Sequence, residues 1–210
     1  MAEQPDLAFT RTIHLLRHGA YISDTTIADD PGPGLCALGI AQARLAGARL
    51  RDMGVQFDHL FASTLSRAHE TATVIREALP QVPFSRSPLL CECCPPAWQD
   101  AATESSEAKP VSTNDIDAAF GTYFVPATGS DRHQIMVTHG NAIRYLVTKA
   151  LQVDTRAWRG MSIAHASLTT VRIRADSSMS VISVGDIGHI PADMQSWGHA
   201  SEDALLGKWR

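Results

Sequence analysis

Two histidines of the chain each follow a short apolar run directly. Arg17 and His18 come after Ile13–Leu16, and His139 comes after Gln134–Thr138. Such runs are typical of buried strands, and in open α/β sheets ligands bind outside the carboxyl ends of the strands. If the two strands are neighbours, both histidines project into one crevice.

A third segment adds an arginine at the same edge of the predicted sheet. Ser63 follows the predicted strand Asp58–Ala62, and Arg67 lies in the first turn of the helix that comes next. A planar guanidinium group donates two parallel hydrogen bonds to a phosphate, and a helix N-terminus adds free N–H groups and a favourable dipole. Two arginines and two histidines that converge there predict an anion site suited to phosphate.

The elements that must position these side chains alternate between strand and helix. Short apolar runs are followed by stretches with helical spacing, and Gly54 and Pro80 stand where two helices are expected to end. This alternation predicts a three-layer α/β sandwich in which helices flank a mostly parallel central sheet. The predicted strands are Ile13–Leu16, Asp58–Ala62, Gln134–Thr138, Ser167–Ile173 and Met179–Val184, and the predicted helices are Leu38–Met53, Ser63–Leu79, Ile116–Phe124 and Asn141–Leu151.

The chain of 210 residues has no internal repeat and no linker that would divide it. This length suits one domain, so residues 1–210 are predicted to form a single domain in which residues 1–11 are flexible. Residues 95–114 are rich in Pro, Ser, Thr, Ala and Glu with little periodicity. A mobile loop is expected there, and loops of such length are often lids or binding loops.

Composition and charge exclude several classes of protein. The formal net charge of -4 lacks the basic footprint of a nucleic-acid-binding protein, and no apolar stretch approaches the roughly 18 residues that a membrane span needs. Cys36 stands apart from Cys91, Cys93 and Cys94, which is a poor disulfide framework and indicates thiols in a reducing compartment. We therefore expect a cytoplasmic protein with no nucleic-acid or membrane partner.

Three motifs resemble one known family in their residues and in their order along the chain. The histidine phosphatase superfamily, which includes the phosphoglycerate mutases, has an R-H-G signature, a second motif around an arginine and a third that begins with histidine. On these motifs residues 1–210 are identified as one histidine phosphatase domain, and the resemblance implies a phosphoglycerate mutase-like fold. The matching residues are Leu15-Leu16-Arg17-His18-Gly19, Ser63-x-x-x-Arg67-Ala68-x-x-Thr71-Ala72 and His139-Gly140-Asn141.

Four stretches are similar to a Ser/Thr protein phosphatase of that superfamily: Arg17–Tyr21, Leu89–Glu92, Asn141–Tyr145 and Gly185–Pro191. The resemblance implies a phosphorylated substrate, either a phosphoprotein or a small phosphomonoester, and a homodimer is consistent with it.

The resemblance also implies roles for individual residues. His18 would be the nucleophile that forms a phosphohistidine, and a covalent intermediate divides one difficult transfer into two easier ones. Arg17, Arg67 and His139 would bind the phosphoryl oxygens, and Asn141 would contribute its backbone N–H or cap its helix. Arginines and a histidine would supply the positive charge, so neither a metal nor a cofactor is implied.

Glu92 matches the acid position of the family and would protonate the leaving alkoxide. Its apolar neighbours, among them Leu89 and Leu90, predict a raised pKa because desolvation disfavours the carboxylate. Glu104 and Glu107 in the expected loop are the alternative acids.

Other side chains are left with two interpretations. Tyr21 lines the pocket or packs, His165 is a weaker pocket candidate, and Trp197 packs within the chain or meets a second subunit. Cys91-x-Cys93-Cys94 is a poor zinc motif because no second cluster completes four ligands, whereas a redox effect of these thiols on activity is a hypothesis. The remaining histidines are predicted to be unrelated to catalysis: His14, His59, His69, His133, His189 and His199.

Three function classes compete. The first is a metal-independent phosphatase. The second is a cofactor-dependent phosphoglycerate mutase, which is disfavoured because a mutase must hold a second phosphate and residues 93–114 contain one basic residue, Lys109. The third is a catalytically silent scaffold that binds a partner protein, which is disfavoured because all four residues of the implied active set are intact.

Overall fold

The computed structural model describes residues 9–22, 31–93 and 113–198, and over these ranges one sheet of six strands forms the centre of the molecule. Its order is β3-β2-β4-β1-β5-β6, so β1 lies beside β4 as the sequence motifs require. β1, β2, β3 and β4 run parallel, whereas β5 and β6 are antiparallel additions at one edge. The strands are β1 Arg11–Arg17, β2 His59–Ser63, β3 Phe84–Ser87, β4 Arg132–Thr138, β5 Leu168–Ile173 and β6 Met179–Asp186.

Helices cover both faces of this sheet. They are α1 Ala37–Asp52, α2 Ser66–Ala78, α3 Thr113–Tyr123 and α4 Gly140–Leu151. Successive side chains of a strand point to opposite faces, so Leu15 packs with the core that contains α3 and α4, and Leu16 packs with the core that contains α1 and α2. The predicted three-layer sandwich with a mostly parallel sheet is confirmed.

Some element boundaries differ from the sequence prediction. β1 begins at Arg11 rather than Ile13, and α2 begins at Ser66 because Ser63 still belongs to β2. α3 begins at Thr113, so the last two residues of the expected loop 95–114 are helical, and the rest of that loop lies outside the described residues, as do residues 1–8.

β3 has no counterpart in the sequence prediction. Its four residues, Phe-Ser-Arg-Ser, are too short and too polar to show an apolar run, and only pairing with β2 defines the strand.

Two helix ends follow the sequence signals. α1 ends at Asp52, and Gly54 just beyond it has a φ of 67°, a conformation that glycine adopts without strain. α2 ends at Ala78, two residues before Pro80. Across the described residues, the helices fall short of the length and apolar character needed to cross a bilayer.

Candidate active site

His18 is the first residue after β1, and hydrogen bonds select one neutral tautomer of its ring. Nδ1 lies 2.8 Å from the carbonyl oxygen of Gly19, and Nε of Arg67 donates to Nε2 at 3.2 Å. A carbonyl oxygen only accepts and a guanidinium group only donates. The proton therefore sits on Nδ1, and Nε2 carries the lone pair.

The surroundings of His18 disfavour its protonation. The side chain is buried, and its pKa lies well below the ordinary value, first because of desolvation and then because of the nearby His139, Arg17 and Arg67. The ring centroids of His18 and His139 are 5.1 Å apart. A neutral imidazole with an aimed lone pair is suited to nucleophilic attack on phosphorus.

The loop that follows His18 is packed against two helices without room for larger side chains. A Cβ atom on Gly19 would lie 2.5 Å from the carbonyl oxygen of Gly39, which is in the first turn of α1. The N–H of Gly19 donates to Oγ1 of Thr71, and the Thr71 hydroxyl donates to the carbonyl of Arg67. Thr71 therefore couples the nucleophile loop to the turn of α2 that carries Arg67.

Arg67 and Tyr21 frame one side of His18. The guanidinium carbon of Arg67 lies 5.0 Å from the Tyr21 ring centroid, and the Tyr21 ring meets the His18 ring edge-on at 5.2 Å. Cations over aromatic rings are attracted by the ring quadrupole. The structure thus favours the first of the two interpretations of Tyr21, since this residue lines the cavity beside His18.

His139 lies behind His18 and contacts Ser63 rather than open space. It is fully buried, its Nε2 lies 2.9 Å from Oγ of Ser63, and its Nδ1 is buried without a hydrogen-bond partner. Burial and the charges of Arg67 and Arg17 lower its pKa well below the ordinary value. Only if Ser63 donates to Nε2 does Nδ1 carry a proton with which to bind an anion.

Glu92 joins the site from the segment after the short 3-10 turn Pro88–Leu90. Its Oε1 accepts backbone N–H bonds from Cys93 and from Ala142 in the first turn of α4, each at 3.1 Å. Desolvation raises its pKa, although these two N–H groups and the charges of Arg17 and Arg67 oppose the shift. Burial therefore raises the pKa of Glu92, as the sequence predicts. The alternative acids Glu104 and Glu107 lie outside the described residues.

Arg17 is tied down by the chain that surrounds it. Its Nη1 donates to the carbonyl oxygens of Ile163 and Trp197, at 2.6 and 2.7 Å, while its Nε is buried without a partner. Burial lowers its pKa to about 10, which still leaves the group charged at neutral pH. The Trp197 contact brings the segment after β6 across the site.

A cavity of about 240 Å³ opens over these groups, with Arg17, His18, Arg67, Glu92 and Asn141 in its lining. The structure therefore brings five of the six sequence-predicted residues to one surface. His139 lies beneath that surface, in contact with the His18 ring.

Arg144 in the site and Gln42 behind the His18 loop were not predicted from the sequence. Arg144 lines the cavity, and a signal for it existed, because positions three and four apart share a helix face and Arg144 follows Asn141 by three. Gln42 is fully buried, accepts the N–H of Ala20 and donates to Met194 and Ser196. Nothing in the sequence marks this bridge, since Met194 and Ser196 are more than 150 residues away from Gln42.

The other candidates lie at the margin of the site. His165 is buried 5.5 Å from the His18 ring and contacts Ser196 through Nδ1. Trp197 lines the cavity, which is a contact within the chain. Cys91 lies 3.1 Å from Oγ1 of Thr64, Cys93 is buried, and Cys94 lies outside the described residues.

Over residues 9–22, 31–93 and 113–198, no cluster of three or more His, Cys, Asp or Glu side chains could hold a metal ion. What the cavity does hold is guanidinium groups around one neutral imidazole, with a carboxyl group opposite. This arrangement can bind a phosphoryl group, attack it and exchange a proton with its leaving group.

Comparison with known proteins agrees with this chemistry. The model of the "Histidine phosphatase superfamily (branch 1)" matches residues 13–134 and 123–184. The mitochondrial serine/threonine-protein phosphatase Pgam5 of Caenorhabditis elegans is 34% identical over 204 residues, which cover 94% of this chain and 70% of the relative. PGAM5 of Xenopus laevis is 36% identical over 88% of this chain and 68% of its own length.

Solved structures share the fold. A phosphoglycerate mutase of Plasmodium falciparum is 25% identical with a TM-score of 0.63, and the match covers 88% of this chain and 96% of the mutase. A phosphoglycerate mutase of Bacillus anthracis has a TM-score of 0.69 at 19% identity, over 87% of this chain and 96% of the other. At 19% identity, the similarity to the Bacillus anthracis mutase shows a shared fold alone.

The expectation of a cytoplasmic location is wrong, because the curated relatives are named as mitochondrial proteins. Its physical basis was weak. Cysteines that lack a disulfide framework indicate a reducing environment. Neither this pattern nor the overall composition distinguishes one reducing compartment from another.

Proposed function

Since the chain belongs to the histidine phosphatase superfamily and is a phosphatase, we propose that it hydrolyses phosphomonoesters through a phosphohistidine on His18. The observation that carries this proposal is the tautomer of His18. With Nδ1–H bound to the Gly19 carbonyl, Nε2 carries the lone pair and accepts a hydrogen bond from Nε of Arg67. The proposed nucleophilic atom is therefore in direct contact with a group that can bind phosphate.

The first half of the reaction forms the phosphoenzyme. Nε2 of His18 attacks phosphorus while the bond from phosphorus to the ester oxygen breaks. Glu92, whose burial raises its pKa and so favours the protonated form, gives its proton to the departing alkoxide. On substrate binding the Nε–H of Arg67 moves from Nε2 to a phosphoryl oxygen.

The second half returns the enzyme to its starting state. Water attacks the phosphorus of phosphohistidine, Glu92 as carboxylate takes the proton of that water, and the bond from Nε2 to phosphorus breaks with release of inorganic phosphate. Arg17 and Arg67 stabilise the charge on the phosphoryl oxygens in both transfers, which is the role that metal ions take in other phosphatases. His139 would add a third donor through Nδ1, with Ser63 as the donor to its Nε2.

Phosphoserine and phosphothreonine in proteins are the substrates we propose. The relatives that support this carry the name serine/threonine-protein phosphatase and match most of the chain. Their mitochondrial names support the same compartment here. A single domain over residues 1–210 and a homodimer stay predictions.

A test follows the phosphoryl group itself. Purified protein in EDTA is mixed with a phosphothreonine peptide labelled with radioactive phosphorus and quenched within the first turnover. We expect label on the protein that survives base and is lost in acid, as phosphohistidine requires, and steady release of phosphate. Phosphate release without a labelled protein would contradict the proposed intermediate.

The same preparation distinguishes a phosphatase from a mutase. After 2,3-bisphosphoglycerate has been added to 3-phosphoglycerate, a phosphatase releases phosphate, whereas a mutase produces 2-phosphoglycerate. Formation of 2-phosphoglycerate without phosphate release would replace the proposal. His18→Ala is the control for both assays, because it removes the attacking atom and leaves the other cavity residues in place.

A further inference from the structure

We propose that Arg144 forms a second anion subsite, which selects phosphoserine and phosphothreonine that are flanked by an acidic residue. This inference rests on the proposed function and names a substrate class within it. Arg144 lines the same cavity as His18 but makes no hydrogen bond to that ring.

The position of Arg144 is set by helix α4. It lies four residues after Gly140 and three after Asn141, and both of these line the cavity. Residues at these spacings lie on one face of a helix, and long side chains on a helix lean back toward its N-terminus. The guanidinium group of Arg144 therefore lies over the first turn of α4, beside Asn141.

Arg144 lies near Glu92, the proposed acid, and its charge also acts on Arg17. Glu92 accepts the N–H of Ala142 in the same turn of α4, and the charge of Glu92 offsets part of the lowering that burial causes in the pKa of Arg144. Because Glu92 is the proposed donor to the ester oxygen, the atoms bonded to that oxygen must lie next to Glu92. Arg144 would meet those atoms rather than the phosphoryl oxygens.

The guanidinium group of Arg144 contacts an aromatic ring and an amide oxygen rather than a carboxylate at salt-bridge distance. It lies 5.6 Å from the ring centroid of Trp158, and its Nη1 makes a long bond of 3.4 Å to Oδ1 of Asn141. Its Nε is buried without a partner. None of the ion pairs formed within the described parts of the chain includes it.

The charge balance of the cavity leaves one cation for another group. Arg17, Arg67 and Arg144 line the cavity with three positive charges, and Glu92 is neutral when it acts as the acid. A phosphomonoester brings about two negative charges at neutral pH. A substrate that also brings a carboxylate would balance the third arginine through a charge-assisted hydrogen bond.

The experiment compares two phosphothreonine peptides that differ only in flanking Asp or flanking Asn residues. We measure kcat and KM for wild type, Arg144→Gln and the control Arg174→Gln, which removes an exposed charge in the turn between β5 and β6. We expect wild type to favour the Asp peptide in kcat/KM by about tenfold, mainly through KM. Arg144→Gln should lose this preference, because kcat/KM should fall more on the Asp peptide than on the Asn peptide, and Arg174→Gln should keep it.

Two further measurements identify the source of the anion and avoid dependence on turnover. The comparison is repeated on small molecules with phenyl phosphate and 4-carboxyphenyl phosphate. The two compounds differ in leaving-group reactivity, so the quantity compared is their ratio of kcat/KM in wild type and in Arg144→Gln, in which that difference cancels. Calorimetric Kd values of both peptides on a His18→Ala background measure the preference by binding alone. We expect the binding preference to weaken as salt is added.

The outcomes separate the inference from the proposed function. Equal losses on both peptides in Arg144→Gln would show that Arg144 only supports Glu92, and they would overturn the inference while His18-dependent hydrolysis stands. If the preference appears only with the 4-carboxyphenyl compound, the proposed acidic phosphopeptide would be wrong, and the substrate would be a small anionic phosphomonoester. Hydrolysis of 4-nitrophenyl phosphate that persists in His18→Ala would remove the proposed function, and the inference with it.

Discussion

His14 lies in the middle of β1 and His18 is the first residue after that strand, and each is only 2% exposed. Burial lowers the pKa of both, to about 4 for His14 and well below the ordinary value for His18. A search for buried histidines with shifted pKa values would therefore select both. Their surroundings, rather than their burial, separate a structural histidine from a candidate nucleophile.

The ring of His14 lies among rings within the sheet. Phe57 meets it edge-on at 5.4 Å, and Nδ1 of His133 lies 3.4 Å from its Nε2. His18 instead stands where β1 has ended, with Arg67 on Nε2, Arg17 beside it and a cavity in front. The carboxyl end of the strand supplies the opening, and the arginines supply the charge that a phosphoryl group needs.

The largest effect should appear when each of the two histidines is replaced in a separate variant. His18→Ala should lower kcat/KM for a phosphothreonine peptide by about 10⁴-fold or more, because no nucleophile remains. His14→Leu should change it by about twofold or less. Steady-state kinetics of the two variants at neutral pH measure this, and a comparable loss in both would end the distinction.

Glu92→Gln should produce the next largest effect, and only on poor leaving groups. Loss of the general acid should slow hydrolysis of a phosphothreonine peptide by about 10³-fold. 4-Nitrophenyl phosphate should be affected far less, because its leaving phenolate needs little protonation. Equal losses on both substrates would assign Glu92 to binding, through its contacts at the start of α4.

Arg67→Lys keeps the positive charge but removes the donor that points at Nε2 of His18. We expect kcat to fall by about 10²-fold, since a lysine cannot reproduce the planar pair of donors. Arg76→Lys on the same helix, over the Phe84 ring, serves as the matched control. Full activity of Arg67→Lys would mean that charge alone suffices.

The smallest effect concerns stability and belongs to His14. In the unfolded chain its ring titrates near 6.5, but in the folded chain near 4, so the unfolded state binds the proton first as the pH falls. The contribution to stability that is present above pH 6.5 is therefore lost between pH 6.5 and 4.

The measurement is the free energy of unfolding by denaturant at neutral pH and at about pH 4.5, where His14 should account for about 2 kcal/mol of the loss. His14→Leu should lose less stability than wild type by that amount. Identical losses would show that His14 is paired or solvated when folded.

Most of the fold followed from local patterns. Apolar runs before His18 and His139 marked β1 and β4, and Gly54 and Pro80 marked the ends of α1 and α2. The pattern failed for β3, whose polar residues become a strand only beside β2. It also failed for Gln42, which joins the His18 loop to Met194 and Ser196 across the tertiary fold.

The sequence alone determined that Arg17, His18, Arg67 and Asn141 reach the site, because motif order and the rule for strand ends bring them to one edge. Tertiary structure decided what each can do there. The tautomer of His18 depends on Gly19 and Arg67, the pKa of Glu92 on burial against α4, and the charge of Arg144 on its place near Glu92 without a salt bridge in the described residues. These properties depend on distances between atoms far apart in sequence, which residue types and spacing do not encode.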